Sequence, residues 1–186
     1  MSKMIILDLD NTLLQSDKTI SDYTISTLKV CQAKGMKVAF ATARSTRGAS
    51  RMMAQFAPDI FIGFGGALAL SGNNIIYRSD MSAEISSPLI QECLQLPEVT
   101  HVYAINESEA LTNDLEMLNT TNYSQYKYHN FSRDNRLSYL KISMKITDTD
   151  AVKHIISRYP MCRMVHFRGE TLHQFTNKNA EKWNAV

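Results

Sequence analysis

Three short apolar runs alternate with two segments of helical periodicity near the start of this chain, and no other feature limits the fold as strongly. Residues 4–8 (MIILD), 36–41 (MKVAFA) and 59–63 (DIFIG) read as buried strands. Between the first two, residues 21–34 carry apolar side chains at Ile25, Leu28, Val30 and Cys31. Ser21 or Asp22 can cap that helix, and Gly35 stops it. Residues 45–56 read as a second helix, with Ser45 or Thr46 as cap. Strands joined by helices pair in parallel, because a parallel crossover needs a connection of helix length. The expected class is therefore α/β, a doubly wound parallel sheet. In such sheets ligands bind beyond the carboxyl ends of the strands.

The residues at those ends carry suitable chemistry. The first strand ends in Asp8-Leu9-Asp10, the second in Thr42 and Arg44, and Gly65-Gly66 follow the third. Two carboxylates one residue apart repel each other, so a cation or a metal is needed to offset them. Simpler roles compete. Asp10 or Asn11 could cap a turn, Thr42 could serve only helix entry, and Arg44 could position its loop. Asp148 and Asp150 also follow an apolar run, but Asp150 precedes the helical pattern AVKHIISRY and reads as an N-cap. None of the five histidines forms a metal pair; His166 and His173 flank the last strands and read as structural or solvated.

Beyond residue 66 the pattern changes. Residues 67–77 read as a hairpin around a Ser-Gly-Asn-Asn turn. There follow a helix at 88–96, a strand at 99–106, a polar stretch at 112–136, a strand at 139–146, a helix at 150–159, and strands at 161–168 and 171–176. This strand-rich block reads as an α+β domain inserted into the first. The expected boundaries are a core at 1–80, the inserted domain at 81–176 and a return to the core at 177–186. A chain of 186 residues, 44% apolar, can bury one good core plus a smaller unit. A net charge of +2 argues against a broad nucleic-acid or acidic-membrane surface. Cys31, Cys93 and Cys162 are scattered, which suits a reducing compartment. No stretch reaches the length of a membrane span, and acids interrupt any signal-peptide pattern at once. A cytoplasmic protein is expected.

Taken together, Asp8-Leu9-Asp10-Asn11-Thr12-Leu13 resembles the D-x-D-x-T signature of the haloacid dehalogenase-like (HAD) phosphotransferases. Ala41-Thr42-Ala43-Arg44 resembles their second signature and is close to the A-T-G-R of Cof-type sugar phosphatases. Lys182, in the segment NAEKWNAV, resembles the lysine of the third. The resemblance implies a HAD-like Rossmannoid core with an α+β cap domain. It implies Asp8 as nucleophile, forming an aspartyl-phosphate, and Asp10 as general acid and later base. It further implies Thr42, Lys182 and the backbone N–H of Leu9 as phosphate ligands, Mg²⁺ held by Asp8 and Asp10, and Arg44, Ala43 and Gly66 in support. The reaction would be Mg²⁺-dependent hydrolysis of a small phosphorylated metabolite, a sugar phosphate in the first instance.

Two departures stand out. Gly65-Gly66-Ala67 stands where the Cof type carries Asn-Gly-Ala, and the Gly-Asp loop of the fourth signature does not occur before Val186. A chain truncated there would have incomplete metal ligation and an open apolar edge at the first strand, inviting self-association. Two other readings therefore stay open: a catalytically inactive remnant acting as a binding protein, and a phosphomutase of the same superfamily. In the cap domain, which the resemblance implies selects the substrate, the Tyr-, Asn- and Arg-rich stretch 119–136 suits a polar ring, and Lys127, Arg133 or Arg136 could meet a second anionic group.

Overall fold

The computed structural model describes residues 3–120, 125–133, 137–166 and 169–185. The chain forms two compact units, one of Met1–Ser79 with Asn179–Val186 and one of Asp80–Lys178.

The first unit is a five-stranded sheet in the order β1-β2-β3-β4-β5. β1 (Met4–Leu7), β2 (Lys37–Ala41) and β3 (Ile60–Gly63) are parallel; β4 (Leu68–Ser71) and β5 (Asn74–Arg78) continue it antiparallel. Helices α1 (Asp22–Ala33) and α2 (Thr46–Gln55) supply the crossovers. Both are capped by serine: Ser21 accepts from the Thr24 amide and Ser45 from the Gly48 amide. Both pack on one face of the sheet, where Leu28, Ala49 and Met52 meet Val38, Phe40 and Phe61. The opposite face holds a smaller cluster of Ala41, Ile62, Ala69 and Ala185. β1 is the edge strand of this sheet, and Met4 and Ile6 on it stay 39% and 36% exposed.

The second unit is a six-stranded sheet in the order β10-β11-β9-β6-β7-β8. Its strands are β6 (Val99–Ile105), β7 (Ala110–Thr112), β8 (Tyr126–Tyr128), β9 (Lys141–Ile146), β10 (Cys162–His166) and β11 (Leu172–Asn177). Helices α3 (Ala83–Cys93), α4 (Leu115–Leu118) and α5 (Thr149–Ser157) complete it. Leu89, Ile90, Val152 and Ile155 from α3 and α5 pack on Val102, Ala104, Ile142, Met144 and Phe175. Alternation along the strands puts these apolar side chains on one face and the polar ones on the other.

Three expectations need correction. α3 begins at Ala83 rather than at Pro88, which lies inside it. The carbonyl that Pro88 leaves without a helix donor belongs to exposed Glu84, where water can satisfy it. The stretch 112–136 is not merely polar loop, since β7 reaches Thr112 and α4 and β8 lie within it. These elements are too short for a periodicity to show. The cap of α5 is Asp148, which accepts from the Asp150 amide, while Asp150 sits exposed in the first turn against Lys153 at 2.6 Å. Arg136 and Arg168 lie outside the described residues. His166 and His173 face each other across β10 and β11 with rings stacked at 4.3 Å. The three cysteines are unbridged. Among the described residues no helix is long and apolar enough to cross a membrane.

Candidate active site

The site grows out of the parallel register of the first unit. Leu7 pairs with Phe40, so Asp8 falls level with Ala41, one residue short of Thr42 on the neighbouring strand end. The chain then tightens into a wide turn over Leu9–Leu13, closed by the Leu14 amide on the Leu9 carbonyl at 3.0 Å. Asn11 takes a left-handed conformation there, φ +60°, which Asn tolerates better than most residues. Leu9 anchors the turn with a fully buried side chain. The two acids on either side of it thus remain accessible, with side chains 46% and 38% exposed.

Each acid has found a cation. The Lys182 ammonium lies 3.0 Å from Asp8 Oδ1. The same oxygen accepts the Leu9 N–H at 2.9 Å. The amide expected to face phosphate is thus held by Asp8 itself. Arg44 takes Asp10 in a two-point grip, Nε to Oδ2 at 2.8 Å and Nη2 to Oδ1 at 2.7 Å. Lys18 stands 3.5 Å from Oδ1. The Arg44 hydrogen bonds hold the Asp10 carboxyl below its ordinary pKa, with burial opposing them. Sequence reasoning missed Lys18, which sits in a turn without any motif, and placed Arg44 only in support.

Thr42 is fully buried. Its Oγ1 accepts the Arg44 amide at 3.1 Å, which leaves the hydroxyl proton to be donated elsewhere. The next strand end is laced to this one: the Phe64 amide donates to the Arg44 carbonyl at 2.9 Å and the Gly65 amide to the Thr42 carbonyl at 3.0 Å. Ala43 is exposed beside them. Gly66, at φ +107°, has a stricter role. A Cβ there would lie 2.3 Å from the carbonyl carbon of Glu181 and 2.5 Å from the Lys182 nitrogen. Only glycine lets the segment bearing Lys182 come this close. Tyr77 and Asn184 side chains hold the same segment through the Asn179 carbonyl at 2.9 and 3.1 Å.

All of Asp8, Leu9, Asp10, Thr42, Ala43, Arg44, Gly66 and Lys182 therefore belong to the first unit, at the ends of β1, β2 and β3 and on the returning segment. Residues 5–186 match the model of the haloacid dehalogenase-like hydrolases. The chain belongs to that family. It is 25% identical over 132 residues to an HMP-PP phosphatase of Enterobacter sp. (strain 638), covering 69% of this chain and 48% of that protein. An HMP-PP phosphatase of Klebsiella pneumoniae (strain 342) is 26% identical over 106 residues, covering 55% and 39%. The chain thus spans about half the length, or less, of these curated relatives. Among solved structures, a HAD subclass IIB sugar phosphatase superposes with a TM-score of 0.77 at 20% identity, over 99% of this chain and 73% of that one. A protein from Eubacterium rectale gives 0.83 at 17% identity, over 99% and 74%. At such identities the likeness shows the fold, the α/β Rossmannoid arrangement expected of a HAD protein.

The donor set bears on a metal. Among the described residues no three His, Cys, Asp or Glu side chains gather in one place. Asp8 keeps its second oxygen clear of the Lys182 and Leu9 contacts, whereas both oxygens of Asp10 are taken by Arg44. The residues fit a Mg²⁺ held through Asp8 and phosphate oxygens, since this ion commonly binds by one or two carboxylates plus phosphate. They fit a chelate through the Asp10 carboxylate only after Arg44 lets go.

Proposed function

We propose that this chain carries the phosphoryl-transfer site of a Mg²⁺-dependent HAD phosphatase, with a small phosphorylated metabolite, such as a sugar phosphate, as substrate. The observation that supports it most directly is the Lys182–Asp8 contact at 3.0 Å, beside the buried Thr42. A carboxylate at a strand end with a cation held against it suits attack on a dianionic phosphate, whose charge must be neutralised throughout.

In this reading an Asp8 oxygen attacks phosphorus, the bond to the ester oxygen breaks, and that oxygen takes a proton from Asp10. Water then loses a proton to Asp10 and attacks the aspartyl-phosphate, releasing inorganic phosphate and restoring Asp8. Lys182 and the Thr42 hydroxyl meet the phosphoryl oxygens, and the Leu9 amide joins them once Asp8 releases it. Bound Mg²⁺ supplies neutralising charge to the phosphate. Arg44 favours the ionised form of Asp10, which is the base of the second step. The first step needs the protonated form, so the Arg44 grip controls how much of it exists.

Release of phosphate from an aryl phosphate, with and without Mg²⁺, tests the reading. Metal-dependent release that Asp8→Asn abolishes is the expected result. Absence of release from folded protein would transfer the site to the binding-protein reading, which Arg44's hold on both Asp10 oxygens favours. An isomeric phosphate ester as product would instead indicate a mutase.

A further inference from the structure

The short turn after Leu14 carries a lysine where the backbone favours glycine. The Lys18 amide donates to the Gln15 carbonyl at 3.0 Å, and the Gln15 amide donates to the Thr19 carbonyl at 2.9 Å. Asp17 braces the turn by accepting the Thr19 amide at 2.9 Å and the Thr19 hydroxyl at 2.6 Å. Within these bonds Lys18 adopts φ +64°. A residue with a Cβ is disfavoured in that left-handed region, whereas glycine enters it freely. Strain of this kind persists only where the surroundings enforce it, and it gathers at functional sites.

From this turn the Lys18 ammonium comes within 3.5 Å of Asp10 Oδ1. Arg44, from the end of β2, already donates to both oxygens of the same carboxylate. Stability accounts poorly for a second cation there. The Lys18 side chain is 52% exposed, and an ion pair so open to water adds little. The two cations differ in what they allow. Gripped by a planar fork, neither Asp10 oxygen is ready to pass a proton. An ammonium holds Oδ1 by charge alone, follows it through three rotatable donors, and leaves Oδ2 clear.

We propose that Lys18 is a positioning residue, keeping the Asp10 carboxylate aimed at the leaving oxygen of a phosphate ester when Arg44 loosens its hold. The role rests on the phosphatase reading above, in which Asp10 gives its proton to that oxygen as the bond to phosphorus breaks. Lys18 acts through Asp10 and needs no contact with the substrate.

The choice of leaving group tests it. An alkyl alkoxide needs the Asp10 proton in order to depart, whereas nitrophenolate departs without one. kcat/KM reads the first phosphoryl transfer. Lys18→Met should lower it roughly tenfold for an alkyl phosphate, with little change for nitrophenyl phosphate. Lys18→Arg should restore most of the loss. Lys18→Gly, which relaxes the turn, should raise the urea midpoint while losing as much activity as Lys18→Met. Equal losses on the two esters, unchanged activity on both, or a midpoint that falls in Lys18→Gly would overturn the role of Lys18 while leaving the phosphatase reading in place. Folded wild-type protein that releases phosphate from neither ester would overturn both.

Discussion

The Arg44 guanidinium closes on both carboxylate oxygens of Asp10, at 2.8 and 2.7 Å, across 34 residues of sequence. Its remaining nitrogen reaches the Gly48 carbonyl at 3.1 Å, which ties the grip to the first turn of α2. Only a planar fork does this, so lysine is a poor replacement. Both side chains are partly exposed, which limits the value of the pair. A double-mutant cycle of Arg44→Lys with Asp10→Asn, read by urea unfolding, should give a coupling of about 1 kcal/mol. The coupling should shrink as salt is added.

Lys182 depends on its distance from Asp8, 3.0 Å, for any effect on phosphate. Lys182→Met keeps the stem and removes the charge. Under the proposed function it should lower kcat for an aryl phosphate by roughly 10²–10³-fold, the range for losing one well-placed electrostatic contact. Unfolding midpoints should move little, because the ammonium is partly exposed. Steady-state kinetics beside a melting curve checks both.

Gly66→Ala should act on the same function from a distance. The new methyl would sit 2.3 Å from Glu181 backbone, at φ +107°, and backbone cannot yield as a flexible side chain would. The expected cost is about 2 kcal/mol or more, from strain and displacement together. The returning segment should also detach from Asp8, so Gly66→Ala and Lys182→Met combined should lose little more activity than either alone. Assaying the three variants in parallel tests that.

Asp59 gives the first unit an acid-sensitive point. Burial by itself pushes its carboxyl up, but the Val38 amide, Lys37 and Gln32 outweigh it and bring the pKa down to about 2. As pH falls the unfolded chain takes up this proton first, because its pKa is the ordinary one near 3.8. The contribution is whole above about pH 4 and is lost between there and about pH 2; it amounts to about 2 kcal/mol. Asp59→Asn should flatten stability against pH in that window, as measured by urea unfolding from mildly acidic to strongly acidic buffer.

β1 stands at the edge of the five-stranded sheet, and an apolar edge strand is a template for pairing with another strand. Met4 and Ile6 lie half-exposed on it. Sedimentation velocity should show concentration-dependent association of this chain, and Ile6→Lys should shift it toward monomer. Equal association of both proteins would place the contact elsewhere.

Much of this architecture was legible before any coordinates. The first three strands, α1 and α2 with caps narrowed to Ser21 or Asp22 and to Ser45 or Thr46, and a hairpin over residues 67–77 follow from patterns local to each segment. The parallel order of β1, β2 and β3 follows in turn, because helix-length crossovers permit little else. It was enough to bring Asp8, Asp10, Thr42 and Arg44 to adjacent strand ends. The second unit was less open to reading. Its β7, β8 and α4 span only three or four residues each, too few to display a period. Pro88 lies within α3, where the carbonyl it leaves without a helix donor belongs to exposed Glu84, a matter of exposure rather than pattern.

The rest was decided in three dimensions. Arg44 meets Asp10, and Gly66 admits Lys182. In each case residues far apart in the chain are joined by strand register or backbone approach. Sequence determines which residues a strand presents and on which face, since that depends on a two-residue alternation. Which of them face one another depends on how the strands slide past each other, and that is settled by packing of the whole sheet.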